Sequence, residues 1–231
     1  MTSPRAFFLS TLGRKVVMAV TGVILFGFVL GHMAGNLLLY LGPEALNAYG
    51  EGLRKFPAGL WGARGVLLAS VLLHIWSAFS LARSNAAARP TGYARRDDLA
   101  ATWASRTMIW TGPLLAVFIV YHLMHFTFGN AHGSFVPGDV YHNVVTGFQN
   151  PLVSGFYIVA MIALGLHLYH GVYSMTQSVG LNHPRTNAYR RKFAAIFTAV
   201  VVIANISFPL AVLAGFVTEH PAAAARLEAG R

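Results

Sequence analysis

Five long apolar runs, separated by shorter polar stretches, organise this chain from end to end. The pattern predicts helices over about 15–41, 61–82, 107–128, 152–178 and 193–217. Each run has the roughly 20 apolar residues needed to cross a bilayer. In hydrocarbon a spanning segment must satisfy its own backbone hydrogen bonds, which such a run does as a helix. The fold expected is therefore an all-α integral membrane protein, a five-helix bundle in which residues 1–231 form a single membrane domain. Between the runs, 42–60 reads as a mixed loop or short interfacial helix, and 83–106 and 179–192 read as basic connectors. Residues 129–150 hold Gly, Asn and Pro, two histidines (His132, His142) and one acid, Asp139, with no Lys or Arg. The tail beyond 217 is polar, and fraying is expected there.

Composition agrees with that pattern. The chain is 55% hydrophobic and 10% charged, against about 25% charged residues in an ordinary soluble domain. It contains no cysteine. Disulfides, thiolate haem ligation, covalent haem attachment and cysteine-held iron–sulfur clusters are thereby excluded in this chain. The basic N-terminus before an apolar run could be read as a secretory signal, but the run is too long and lacks a clear small-residue cleavage site.

The net charge of +10 would suit nucleic acid, but its distribution does not. Twelve of the 17 Lys and Arg residues lie on one side: Arg5, Arg14 and Lys15, then Arg83, Arg89, Arg95, Arg96 and Arg106, then Arg185, Arg190, Arg191 and Lys192. The other side holds Arg54, Lys55, Arg64, Arg226 and Arg231. By the positive-inside rule the N-terminus is cytoplasmic and the C-terminus outside. The surplus is a topology signal rather than a nucleic-acid patch.

Candidate chemistry rests on histidine. Ionisable side chains at membrane depth are costly and mark function by default. Four of the runs carry them: His32, His74, the pair His122 and His125, and the pair His167 and His170. At about 1.5 Å rise per residue, His32 stands about 25 Å from Lys15 and His122 about 22 Å from Thr107. On the same scale His74 is about 12 Å from Ala82 and His167 about 14 Å from Thr176. The four fall into an outer tier from the first and third runs and an inner tier from the second and fourth, about 10 Å apart in height. Two bis-histidine haems fit that arrangement. Zinc also takes imidazole, but it would want three or four ligands at one depth. Hydrogen-bonded core histidines are the plain alternative. His125 and His170 each lie three residues after another histidine, on nearly the same helical face, so depth leaves His122 or His125, and His167 or His170, open.

The motifs are more specific than any single histidine. Gly31-His32 followed by Asn36, GPEALNAYGE at 42–51, Thr111-Gly112 followed by His122-Leu123, and GFQNP at 147–151 leading into GFYIVA and LGLHLYHG occur in order. With these the chain resembles the cytochrome b membrane-anchor subunit of succinate:quinone oxidoreductase (succinate dehydrogenase or fumarate reductase), of the single-chain, five-helix, di-haem type. The resemblance implies that His32 and His122 ligate an outer haem b and His74 and His167 an inner one. His170 and His125 then become neighbours of the ligands, His170 within reach of a propionate. It implies partners as well: a flavoprotein and an iron–sulfur subunit, the lipid bilayer and a quinone, with menaquinone suggested by the single anchor chain. The location implied is multi-pass in the bacterial cytoplasmic (inner) membrane, and a higher oligomer of the whole complex is compatible with it. By itself the chain would not oxidise succinate. Some members of the family carry a glutamate two residues before the ligand in the fourth helix, linked to a proton path; Gly165 stands there in this chain.

The remaining polar candidates are of two kinds. Arg106 and Arg64, at helix starts, could meet the propionates of the inner and outer haem or could snorkel to headgroups. Glu44 and Glu51, near the outer end of the first helix, could relay protons to a quinone or could be solvated loop acids. Trp76, Trp103 and Trp110 fit an aromatic belt. The function expected is electron transfer between a cytoplasmic succinate dehydrogenase module and membrane quinone. Fumarate reduction, the cytochrome b of another quinone-linked dehydrogenase, and a haem-free transporter or scaffold are the alternatives.

Overall fold

The computed structural model describes residues 4–88, 103–178, 180 and 183–219. Arg89, Arg95, Arg96, Asp97 and Asp98 of the basic connector, and Arg226 and Arg231 of the tail, lie outside the described residues. Among the described residues the α-helices are, in order, α1 (Pro4–Leu9), α2 (Thr11–Asn36), α3 (Pro43–Arg54), α4 (Pro57–Ala87), α5 (Trp103–His122), α6 (Val140–Gln149), α7 (Pro151–Ser178) and α8 (Pro184–Leu213). A 3-10 turn, Leu37–Leu41, extends α2, and a π turn, Leu123–Thr127, extends α5. No strand occurs among the described residues. Five helices among the described residues are long and apolar enough to cross a membrane: Thr11–Leu41, Pro57–Ala87, Ala104–Thr127, Pro151–Gln177 and Arg185–Leu213.

Local chemistry sets the boundaries. Ser10 caps α2, its hydroxyl accepting from Gly13 N–H at 3.0 Å. Proline opens α3, α4, α7 and α8, where its missing N–H is no loss and its fixed φ favours the helix. The turn from α2 into α3 passes through Gly42 at φ +94°, a conformation costly for any residue with a Cβ. Asn150 begins α7 by accepting from the N–H groups of Leu152 and Val153.

Two regions differ from the sequence reading. The connector expected over 129–150 contains α6, which starts at Asp139, whose carboxylate accepts from His142 N–H at 3.0 Å. Arg185, Arg190, Arg191 and Lys192 belong to the first turns of α8 rather than to a loop, because Pro184 starts the helix before the apolar run does.

The main core gathers at the end of the bundle that carries α3 and α6. Leu39, Leu46, Phe118, Val145, Phe148, Tyr157, Met161, Phe208 and Val212 form one cluster there. Asn47 stitches α3 to α6, donating to Asp139 Oδ1 and accepting from Tyr141 N–H, both at 2.9 Å. The two helices with the most extensive contact are α7 and α8. Gly165 explains part of this: a Cβ there would stand 2.8 Å from Val202 Cγ2, so the glycine lets α8 come close.

Candidate functional site

Helix pairing decides where the histidines meet. Helix α2 packs along α4, and α5 packs along α7. No comparable contact joins α2 to α5 or α4 to α7 among the described residues. Across those two gaps histidine rings approach each other, one pair edge-on at 86° and the other tilted at 57°. His32 of α2 and His122 of α5 have ring centroids 5.8 Å apart. His74 of α4 and His167 of α7 have theirs 6.2 Å apart.

Of the neighbouring histidines, one in each pair faces across the bundle. His122, not His125, approaches His32; His167, not His170, approaches His74. His125 is 2% exposed, stacked on Tyr121 at 5.5 Å and on His132 at 4.8 Å. The π turn separates it from His122. Phe128 N–H bonds to Leu123 O at 2.9 Å, a wider turn than the α-helical one, so residues three apart diverge more around the axis. Such turns are uncommon and cluster at functional sites. The sequence carries no distinct mark of this one.

Each packed pair, α2 with α4 and α5 with α7, also brings one hydroxyl to a histidine Nδ1. Thr21 Oγ1 lies 3.1 Å from His74 Nδ1 and has two backbone carbonyls in reach for its own proton, Val17 O at 2.8 Å and Met18 O at 3.2 Å. Tyr157 Oη lies 3.3 Å from His122 Nδ1 and 3.1 Å from His125 Nδ1. Sequence reasoning missed both hydroxyls. Thr21 lies 53 residues from its partner and Tyr157 35 from His122, so only the fold joins them.

The donor set can be tested against haem. Two imidazoles on opposite sides of one metal, with metal–nitrogen bonds of about 2.0–2.1 Å and ring radii of about 1.1 Å, have centroids about 6.3 Å apart. The separations of 5.8 and 6.2 Å are close to that. His167 Nδ1 is buried with no hydrogen-bond partner. A histidine kept only to satisfy the core would not leave that orphan, since buried polar groups are normally paired. Among the described residues no group of three or more His, Cys, Asp or Glu side chains could hold a metal ion. The histidines are gathered two and two, as haem requires and a three- or four-ligand zinc site does not.

The other candidates are not part of either ring contact. Arg64 is exposed, its guanidinium 4.9 Å from the centroid of the Trp61 ring. Arg106 is exposed near the start of α5. His170 is half-buried on α7. Glu51 pairs with Lys55 at 3.1 Å in the open. Glu44 is exposed in the first turn of α3. Burial, and then the charge of Glu44, push the phenol of Tyr141 above its ordinary value. Arg14 does more than anchor: it donates to Ser80 and Ser84 of α4 at 2.6 and 2.9 Å.

A family model described as succinate dehydrogenase/fumarate reductase transmembrane subunit matches residues 96–206, in agreement with the resemblance carried by the motifs. The matched span contains His122 and His167; His32 and His74 precede it. No curated protein and no solved structure gives a significant match to the chain.

Proposed function

Because residues 96–206 belong to the succinate dehydrogenase/fumarate reductase transmembrane subunit family, we propose that the chain is the di-haem cytochrome b anchor of a succinate dehydrogenase. The observation that carries this reading is the pair of histidine contacts across gaps where helices do not pack, at 5.8 and 6.2 Å. His32 and His122 would hold one haem b, and His74 and His167 the other. Bound haem supplies one-electron transfer, which no side chain here can perform alone. The protein's part is to present four imidazoles in two close pairs.

In the orientation given by the basic residues, the His74–His167 pair is nearer the cytoplasm, where the flavoprotein and iron–sulfur subunits would dock on the basic ends of α4, α5 and α8. The His32–His122 pair is nearer the outer face of the bacterial inner membrane. Quinone, menaquinone by the resemblance, would be handled there, with Glu44 the better placed of the two acids because Glu51 is engaged by Lys55. Arg64, Arg106 and His170 are proposed as polar neighbours of the propionates. Gly165 is filled by helix packing against Val202, so the family's glutamate-linked proton path has no carboxylate at that position here.

The reading is tested by tagging this chain in its native membrane and purifying it in mild detergent. A flavin-containing and an iron–sulfur subunit should copurify, and succinate should reduce the visible absorbance. A tagged chain that arrives without either subunit, and whose spectrum ignores succinate, would overturn it.

A further inference from the structure

A metal-bound imidazole has two requirements: a lone pair on the ligating nitrogen, and a partner for the proton on the other. The two hydroxyls, one between α2 and α4 and one between α5 and α7, meet the second requirement. Thr21 has one hydroxyl proton and two backbone carbonyls in reach, Val17 O at 2.8 Å and Met18 O at 3.2 Å. With the proton on either carbonyl, the hydroxyl accepts from His74 Nδ1 at 3.1 Å. His74, which also meets the Met18 backbone, then keeps the lone pair of Nε2 free.

Tyr157 is constrained in a similar way. Its hydroxyl lies between two nitrogens, His122 Nδ1 at 3.3 Å and His125 Nδ1 at 3.1 Å. It has one proton to give, so one ring donates to it and the other accepts. If His122 is the ligand through Nε2, His122 donates from Nδ1 and Tyr157 donates on to His125. The Tyr157 ring is wedged among Phe118, Phe126 and Phe148 at 5.0–5.6 Å, so the hydroxyl cannot swing away. His125 is held in turn by stacking on His132, whose Nε2 meets Asn143 O at 2.8 Å.

We infer that Thr21 and Tyr157 are positioning residues, each fixing the ring and tautomer of one ligand histidine, His74 and His122 respectively. The inference rests on the di-haem reading and adds to it two hydroxyls that touch no cofactor. It also makes the two sites unequal. His74 of α4 is tied through a threonine to the backbone of α2, and His122 through a tyrosine to a buried histidine stack.

Thr21→Val and Tyr157→Phe keep shape and remove only the hydroxyl. The detergent-solubilised complex would be examined by low-temperature EPR of the oxidised haems, by potentiometric titration, and by haem loss to a haem-free globin. Signals are assigned to sites by their absence in His32→Ala and His74→Ala. Thr21→Val should change the EPR signature and potential of the His74–His167 haem alone, and loosen that haem about 10–100-fold. Tyr157→Phe should do the same to the His32–His122 haem alone, and Thr21→Ser should restore the wild-type signature. Two unchanged haems in both variants, or an equal change at both sites in either, would overturn the inference. A wild-type complex that binds no haem would instead overturn the reading on which it rests.

Discussion

Gly147→Ala adds one methyl group at a place where three aromatic rings converge. Gly147 is buried in α6, and a Cβ there would lie 2.9 Å from His125 Cε1, 3.0 Å from His132 Nε2 and 3.0 Å from Phe126 Cε1. None of these can yield cheaply. His125 is stacked on Tyr121 and His132, His132 is bonded to Asn143 O, and Phe126 packs edge-on against Phe148 at 5.4 Å. Overpacking of this kind costs about 1–3 kcal/mol. Replacing glycine by alanine inside a helix returns about 0.5–1 kcal/mol, so a net destabilisation of about 1–2 kcal/mol is expected. Gly52→Ala is the matched control. It lies in α3, exposed, with nothing within 4 Å of a Cβ, and should stabilise by about 0.5–1 kcal/mol. For a chain of this size about 1 kcal/mol moves the midpoint by about 2–4 °C. Thermal unfolding in detergent at one fixed scan rate should therefore lower the apparent Tm by about 2–8 °C for Gly147→Ala and raise it slightly for Gly52→Ala. A Gly147→Ala protein as stable as wild type would refute the claim that these rings are rigidly placed.

Gly165→Ala should destabilise by about 1–3 kcal/mol through its clash with Val202, and the double variant with Val202→Ala should recover most of that in the same melt. Glu219→Ala removes the partner 2.6 Å from His142 Nδ1; because His142 is 3% exposed, about 1–3 kcal/mol should be lost, seen as faster proteolysis of the segment after α8. Tyr141 donates to Thr218 O at 3.0 Å, and its raised folded-state pKa means that its contribution is fully present below its unfolded value, about 10, and lost as pH rises beyond it. Tyr141→Phe should accordingly lose less stability than wild type as pH rises above about 10, measured by parallel melts.

Much of this architecture was legible in the sequence because hydropathy in a membrane is a one-dimensional signal. The five spans follow from run length, and the pairing of His32 with His122 and His74 with His167 in space matches the two depths counted along the helices. What could not be read depends on contacts between distant segments. Tyr157 looks like any aromatic in the fourth run, and only the fold brings it to both His122 and His125. The π turn that turns His125 aside is a backbone adjustment without a residue signature. Helix α6 is a different case: Asp139 before an apolar-periodic stretch is an N-cap signal, and the glycines and asparagines around it masked a readable element.

The most direct test of the account is a dithionite-reduced minus oxidised visible spectrum of the purified complex, with haem quantified per chain. Two haems b per chain, falling to one in His32→Ala or in His74→Ala, is the predicted result. A featureless spectrum from haem-supplied cells would contradict it, and the four histidines would then be polar residues of the bundle's interior.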